Sequence, residues 1–410
     1  MEHWSIVGNL VDIPAQRIYP AELEIADGHI RAISEVSGPV EGFLLPGFID
    51  AHVHVESSML VPSEFARLAV THGTVATISD PHEVANVLGL AGVRYMIDNG
   101  RKVPFHFFFG APSCVPATVF ETAGARIDAD EVGELLEDPA ILYLSEMMDF
   151  PGVLNGVDHV MRKIAHAKRL GKPVDGHAPG LRGTTAKQYI DAGISTDHEC
   201  FTAEEACDKL AHGMHILVRE GSAAKNFEAL IDLLHDHEDR MMLCSDDKHP
   251  DSLVEGHIND LCARAVARGI DLFKVLRAAC LNPIAHYKLP VGQLRVGDPA
   301  DMIMVKDLER FKVQRTYIRG RLVAENGRSL IDRVPVERPN HFRTGPKRTA
   351  DLVVHDTGAE VLAIEALDGQ LITRKRWIAP TVVNGTCVPD TGKDLLKIAV
   401  VNRYADAPPA

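Results

Sequence analysis

The stretch Phe43-Leu44-Leu45-Pro46-Gly47-Phe48-Ile49-Asp50-Ala51-His52-Val53-His54 runs an apolar segment into two histidines spaced i, i+2. Side chains two apart on a β-strand lie on the same side of the sheet, so both imidazoles can reach one metal ion. Taken alone, such a pair is as often a surface feature. Four later runs change the balance, because each ends a short apolar segment in a residue of metal-ligand type: Glu146 after 141–145, His177 after 172–176, His198 after 193–197 and Asp246 after 241–245. Core packing does not demand imidazole and carboxylate at successive strand ends. The pattern predicts a metal centre built from His52, His54, Glu146, His177, His198 and Asp246.

These ends belong to a larger repeat. Between 47 and 286, eight β-rich runs (48–55, 74–79, 105–110, 141–146, 173–177, 194–198, 215–219 and 241–246) alternate with longer helical patterns, the signature of βα units. The expected fold class is therefore α/β, with a closed (β/α)₈ TIM barrel as the catalytic domain. A helix is expected over 64–70 with Ser63 as its N-cap, and another over 157–170, stopped by Gly171. His159 and His166 sit on that second helix, away from any strand end, and read as surface residues. Active sites of such barrels lie at the C-terminal ends of the strands, where all six candidate ligands fall.

Residues 1–46 differ, with polar and apolar residues alternating around an Asp27-Gly28 hairpin signal. Similar β patterns return at 291–294, 300–305 and 317–323. The two flanks, 1–46 and 287–330, are expected to pack as one small β-sandwich domain beside the barrel. Residues 331–410 open with the Pro- and Arg-rich stretch 333–347 and continue with strand patterns at 352–354 and 397–401, read as a partial C-terminal α+β domain.

Composition narrows the function. A chain of 410 residues, 46% hydrophobic and 24% charged, is that of a globular enzyme. No apolar run approaches the roughly 18 to 20 residues that cross a bilayer, and residues 1–12 lack the basic start and long apolar centre of a signal peptide. The seven scattered cysteines form no CxxC pair, arguing for a reducing compartment and against thiolate zinc. A net charge of −14 disfavours nucleic acid as partner. The expectation is a cytoplasmic enzyme acting on a free small molecule, with no membrane and no nucleic acid.

The HxH of strand 1, single histidines closing strands 5 and 6 and Ser-Asp closing strand 8 resemble the amidohydrolase superfamily. Longer strings, Pro46-Gly47-Phe48-Ile49-Asp50-Ala51-His52-Val53-His54-Val55-Glu56-Ser57-Ser58-Met59, Ser79-Asp80-Pro81-His82-Glu83, Ser145-Glu146-Met147-Met148-Asp149, Asp175-Gly176-His177-Ala178-Pro179-Gly180 and Cys244-Ser245-Asp246-Asp247, resemble the bacterial-type adenine deaminase family. That resemblance implies hydrolytic deamination of adenine to hypoxanthine and ammonia, in purine salvage, by a homo-oligomer such as a dimer. It implies a binuclear divalent centre of Mn²⁺ or Fe²⁺, with Zn²⁺ also compatible with imidazole and carboxylate donors. Such enzymes usually continue past 399–404 into a longer C-terminal domain. With the last residue at Ala410, that domain is expected to be shortened and activity reduced. The alternatives are a hydrolase of a cyclic amide or N-acyl amino acid, and a low-activity homologue that only binds metal or purine.

Within this reading His52, His54 and Asp246 hold one metal, His177 and His198 the second, and Glu146 bridges them. Asp246 is the expected catalytic proton shuttle, since the superfamily pattern places the catalytic aspartate directly after a small Ser or Thr. Asp80, His82 and Glu83 read either as a substrate-protonating cluster, with Asp80 the catalytic member, or as a helix-start turn. Glu56, Ser57 and Ser58 after strand 1, and Arg219 and Glu220 after strand 7, are expected on mouth loops facing a purine.

Overall fold

A computed structural model describes residues 3–368 and 372–410. The quoted stretch crosses between two sheets. Strand β4 (Phe43–Pro46) belongs to a sheet made by both flanks, and after Gly47 strand β5 (Phe48–Val53) begins the barrel. A side chain at Gly47 would meet both methyls of Val75 at 2.4 Å, so only glycine lets the chain pass so close to the next barrel strand.

The flank sheet also contains β1 (His3–Asp12), β2 (Arg17–Ala26), β3 (His29–Glu35), and after the barrel β13 (Met302–Val305), β14 (Val313–Ile318), β15 (Arg321–Glu325) and β16 (Arg328–Ser329). Its order is β16-β15-β14-β13-β4-β1-β2-β3, so the two flanks meet where β4 pairs antiparallel with β13. The expected two layers are thus one continuous sheet, curled so that the β2–β3 turn at Gly28 touches Arg319 in the β14–β15 turn. Ile6, Leu10, Leu23, Ile25, Leu44 and Met302 fill its interior. The Asp27-Gly28 turn has φ of +52° and +75°, as a two-residue hairpin requires.

Two strand expectations in the flanks need correction. Residues 291–294 form no strand, because the carboxylates of Asp298 and Asp301 take the backbone N–H groups of Gln293 and Gly292 that a ladder would need. The 317–323 run is a hairpin, broken by Arg319-Gly320 at positive φ.

The barrel strands are β5, β6 (Thr74–Ser79), β7 (His106–Ala111), β8 (Ile141–Met147), β9 (Val174–Gly176), β10 (Thr196–Asp197), β11 (His215–Arg219) and β12 (Met241–Cys244), parallel from each to the next in two hydrogen-bonded arcs, β5 to β9 and β10 to β12. Ser195 N–H to Val174 O (2.9 Å) joins the arcs, and a parallel bridge between Val53 and Asp246 closes the ring. Most apolar residues of these strands are buried on both faces, as in parallel sheets covered by helices. Burying a side chain such as Phe48 contributes about 1.5 to 3 kcal/mol.

The helices follow the expected pattern with shifted ends. The first spans Pro62–Ala69 with Val61 as N-cap, because Pro62 takes the first helical position and Ser63 falls inside. The second spans Asp158–Arg169. Among the described residues of 331–410 there are short strands and single 3₁₀ turns rather than the α-helices an α+β segment would bring. Of the 352–354 pattern only Val354 lies in a strand, the two-residue Val354–His355, and 397–401 is none. Ile398 and Trp377 in this segment are 78% and 65% exposed, so no core fixes a longer element there. No helix among the described residues is long and apolar enough to cross a membrane.

Candidate metal centre

Barrel closure itself assembles the first part of the site. Asp246 N–H donates to His52 O (2.9 Å) and His54 N–H donates to Asp246 O (3.3 Å), so Asp246 sits opposite Val53, between the two histidines. To do so it adopts φ +52°, an uncommon conformation for a residue other than glycine. Its Oδ1 lies 3.5 Å from His52 Nε2 and 3.3 Å from His54 Nε2, and those two nitrogens are 3.1 Å apart. His54 Nδ1–H donates to the carbonyl of Asp80 (3.2 Å), which turns its Nε2 toward the others.

Glu146, at the end of β8, stands between the two groups. Its Oε1 is 3.6 Å from His54 Nε2, and its Oε2 is 3.1 Å from His198 Nε2 and 2.7 Å from His177 Nδ1. His177 is delivered by Gly176, where a Cβ would lie 2.3 Å from Thr196 O; only glycine brings β9 so close to β10. The rings of His52 and His198 stack at 4.1 Å. All six expected ligands therefore converge, and all but the half-buried His177 are buried. Imidazole nitrogens and carboxylate oxygens crowded at this spacing, most of them buried, are a donor set that a divalent cation satisfies.

Both carboxylates of the cluster sit below their ordinary range. Burial pushes the Asp246 carboxyl up, but hydrogen bonds from His52 and His54 outweigh it and hold it well below the usual range. Glu146 is likewise raised by burial and lowered further by His177 and His198, ending well below.

Other expected residues are less uniform. Asp80 and His82 join the centre, His82 Nδ1 lying 3.2 Å from Asp80 Oδ2 and 3.4 Å from Glu146 Oε1. Glu83 stands 3.1 Å from His82 Nε2 and 3.4 Å from His54 Nδ1. The helix-start alternative holds too, since a helix begins at His82. Glu56 points back to accept from Val84 N–H (3.2 Å), and burial, with the charge of Glu83, raises it to about 8. Ser57 donates to Asp247, whereas the Ser58 hydroxyl is turned inward onto Val55 O (2.6 Å). Glu220 is held by Arg264 (2.8 Å).

Arg219 departs from its expected place on a mouth loop. It is the last residue of β11, 2% exposed, and its guanidinium is turned inward to Asp246 Oδ2 (2.9 Å) and to both oxygens of Glu199. Inside the barrel rim a guanidinium needs carboxylates, and strand ends on either side supply them. Glu199 itself was not expected. Its Oε1 lies 3.3 Å from His198 Nε2 and 3.6 Å from His177 Nδ1, and its one sequence signal was adjacency to His198. A further buried group supports the site from below: Asp50 accepts from Ser245 N–H (2.9 Å), from the Ser245 hydroxyl and from His257 Nε2 (2.8 Å), while Thr74 bonds the other ring nitrogen of His257 (2.7 Å).

The model of the amidohydrolase family matches residues 43–323, which span the barrel and the strands that close the flank sheet. Adenine deaminase of Salinibacter ruber is 55% identical over 403 residues, covering 98% of this chain and 74% of the relative. That of a Sulfurovum species is 54% identical over 402 residues with the same coverage, and that of Methanosarcina acetivorans 48% over 413 residues, 98% and 75%. Among solved structures, β-aspartyl dipeptidase of Fervidobacterium islandicum superposes with TM-score 0.59 at 15% identity over 82% of this chain and 100% of that one. N-isopropylammelide isopropylaminohydrolase of Burkholderia multivorans gives 0.58 at 14%, over 80% and 100%. Identities this low speak for the fold alone. A barrel whose strand ends gather four imidazoles and two carboxylates, together with close relatives along nearly its whole length, places this chain in the amidohydrolase family, among the adenine deaminases.

Proposed function

We propose that the chain hydrolyses the exocyclic amine of adenine, giving hypoxanthine and ammonia. The observation that carries this is identity of 55% with a relative named adenine deaminase over 98% of the chain, in which the six strand-end ligands converge. In this reading His52, His54 and Asp246 hold one divalent ion, His177 and His198 the other, with Glu146 between them. Manganese or iron is favoured, from the resemblance together with a donor set lacking thiolate. When bound, divalent ions held by these residues would supply Lewis acidity toward water at neutral pH.

The protein's own part is proton handling and positioning. Asp246, ionised and anchored through Oδ2, turns Oδ1 toward His52 and His54, and that oxygen would take the proton of the attacking water as C6 becomes tetrahedral and return it to the departing ammonia. Asp80 and His82, adjoining Glu146, would protonate a ring nitrogen, with Glu83 beside them. Ser57, bonded to Asp247, is assigned to the purine side together with Glu56 and Glu220, while Ser58 serves the turn. We assign catalysis to 47–286, with 1–46 and 287–330 as its β support and 331–410 as an appended segment, in a cytoplasmic homodimer. An N-acyl amino acid is not favoured, because Arg219, the one buried arginine among the described residues and the group that could grip its carboxylate, is already paired.

The test is conversion of adenine by protein loaded with Mn²⁺ or Fe²⁺, followed as the absorbance change to hypoxanthine with ammonia counted separately. Equal amounts of the two products are expected. Loaded protein that leaves adenine unchanged would overturn the assignment.

A further inference from the structure

Arg219 connects three consecutive strand ends. It closes β11, lies between Glu199 after β10 and Asp246 after β12, and pairs with both carboxylates while 2% exposed. Its backbone is fixed as well: Arg219 N–H donates to Asn226 Oδ1 (2.8 Å), and the Asn226 amide donates to the carbonyls of His198 (2.9 Å) and Cys200 (3.1 Å). One loop residue thus ties the guanidinium to the segment that carries His198.

The consequence for Asp246 is a division of labour between its oxygens. Oδ2 accepts from Arg219 at 2.9 Å, and Oδ1 faces His52 and His54 at 3.5 and 3.3 Å. Rotation of this carboxyl group would exchange the two oxygens or withdraw both from the histidines. Glu199 does the same work from the other side, since its two oxygens take both terminal nitrogens of Arg219. A planar, forked guanidinium can hold two carboxylates in fixed orientation; a lysine ammonium cannot.

We infer that Arg219 is a positioning residue of the metal centre, a strut that presents Asp246 Oδ1 to the His52/His54 site and, through Glu199 and Asn226, couples that site to the one at His177 and His198. The inference rests on the metal reading above, and it removes Arg219 from the substrate contacts. Binding of Mn²⁺ to Arg219→Gln, Arg219→Lys and Glu199→Gln, followed by calorimetry and electron paramagnetic resonance on folded protein, tests it. Arg219→Gln should bind its Mn²⁺ at least about tenfold more weakly and lose the spin-coupled signal of a paired centre. Its kcat should fall while KM for adenine stays near wild type, because the side chain touches no substrate. Arg219→Lys should recover part of the affinity, and Glu199→Gln, which keeps the Arg219–Asp246 pair, should lose less than Arg219→Gln. If Arg219→Gln fails to fold, as circular dichroism would reveal, the order wild type, Glu199→Gln, Arg219→Lys in Mn²⁺ affinity carries the test, and equal affinities overturn it. Wild-type affinity and kcat in Arg219→Gln, or a rise in KM alone, would also overturn it. His52→Asn separates the two claims: if it too keeps full metal, the metal reading fails, whereas loss there with none in Arg219→Gln defeats only the strut.

Discussion

Asp246 is asked to do two things at once, hold a metal and move a proton, and its surroundings show how one carboxylate can. Arg219 occupies one oxygen, the histidines face the other, and the left-handed backbone sets the side chain between His52 and His54. Asp246→Asn keeps the shape but accepts no proton. We expect turnover to drop by about 10² to 10⁴, measured at saturating adenine with metal content determined on the same sample; near-wild-type turnover with metal bound would pass the shuttle role to Asp80 or Asp247. Asp50 acts one layer below. It is fully buried and accepts three hydrogen bonds from Ser245 and His257. Asp50→Ala leaves those donors unpaired and should destabilise the fold by about 3 to 5 kcal/mol, since each buried donor without a partner costs about 1 to 3 kcal/mol, read from urea unfolding. A loss under 1 kcal/mol would mean the network relaxes around the gap.

At the scale of elements, the sequence was most legible where period and position carry the information. The alternation of β-rich and helical runs located all eight barrel strands, two of them, Thr74–Ser79 and His215–Arg219, to the residue. The i, i+2 histidines and the four strand-end ligands were visible because a strand end fixes both depth and direction. Contacts between distant segments were not visible. Nothing local in Asp50, Thr74 and His257 announces that they meet, nor does Glu199 announce Arg219. The 291–294 run shows the opposite failure, an apolar string whose backbone donors were taken by Asp298 and Asp301. A half-buried pair on the barrel's N-terminal side offers a pH test at this scale. His286, whose Nε2 meets the Ser195 hydroxyl at 3.3 Å, packs its ring 4.4 Å from that of His215. Burial first, and then the neighbouring His215, lower His286 to about 3. Unfolded, it titrates near 6.5. Between those values the unfolded chain binds the extra proton, so stability is present above pH 6.5 and is lost as pH falls toward 3. His286→Gln should flatten the fall in urea midpoint between pH 6.5 and 4.5, by at most about 1.4 kcal/mol per pH unit. An unchanged slope would show that the ring is already protonated in the fold or contributes nothing.

For the whole molecule, the flank sheet and the barrel are bound through the stretch that opens the sequence reading. Leu44 and Leu45 lie in the sheet, Phe48 and Ile49 in the barrel, and Asp301 grips Gly47 N–H by its carbonyl at 3.2 Å while its carboxylate takes the N–H groups of Gly292 and Arg319. The start of β5, and with it the height of His52 and His54, is therefore set from outside the barrel. The relatives are longer, this chain covering 74% to 75% of the adenine deaminases compared above. The barrel and its flank sheet nevertheless bring the expected ligands into overlapping groups, His52 and His54 with Asp246, His52 with Glu146 and His198, and His177 with His198. The most direct measurement of the central claim takes wild type, His52→Asn and His177→Asn together, with metal per chain and ammonia released from adenine recorded on each. The account predicts about two divalent ions and ammonia release for wild type, with both quantities reduced together in either variant. Full metal content in both variants, or ammonia release undiminished after the metal is gone, would contradict it.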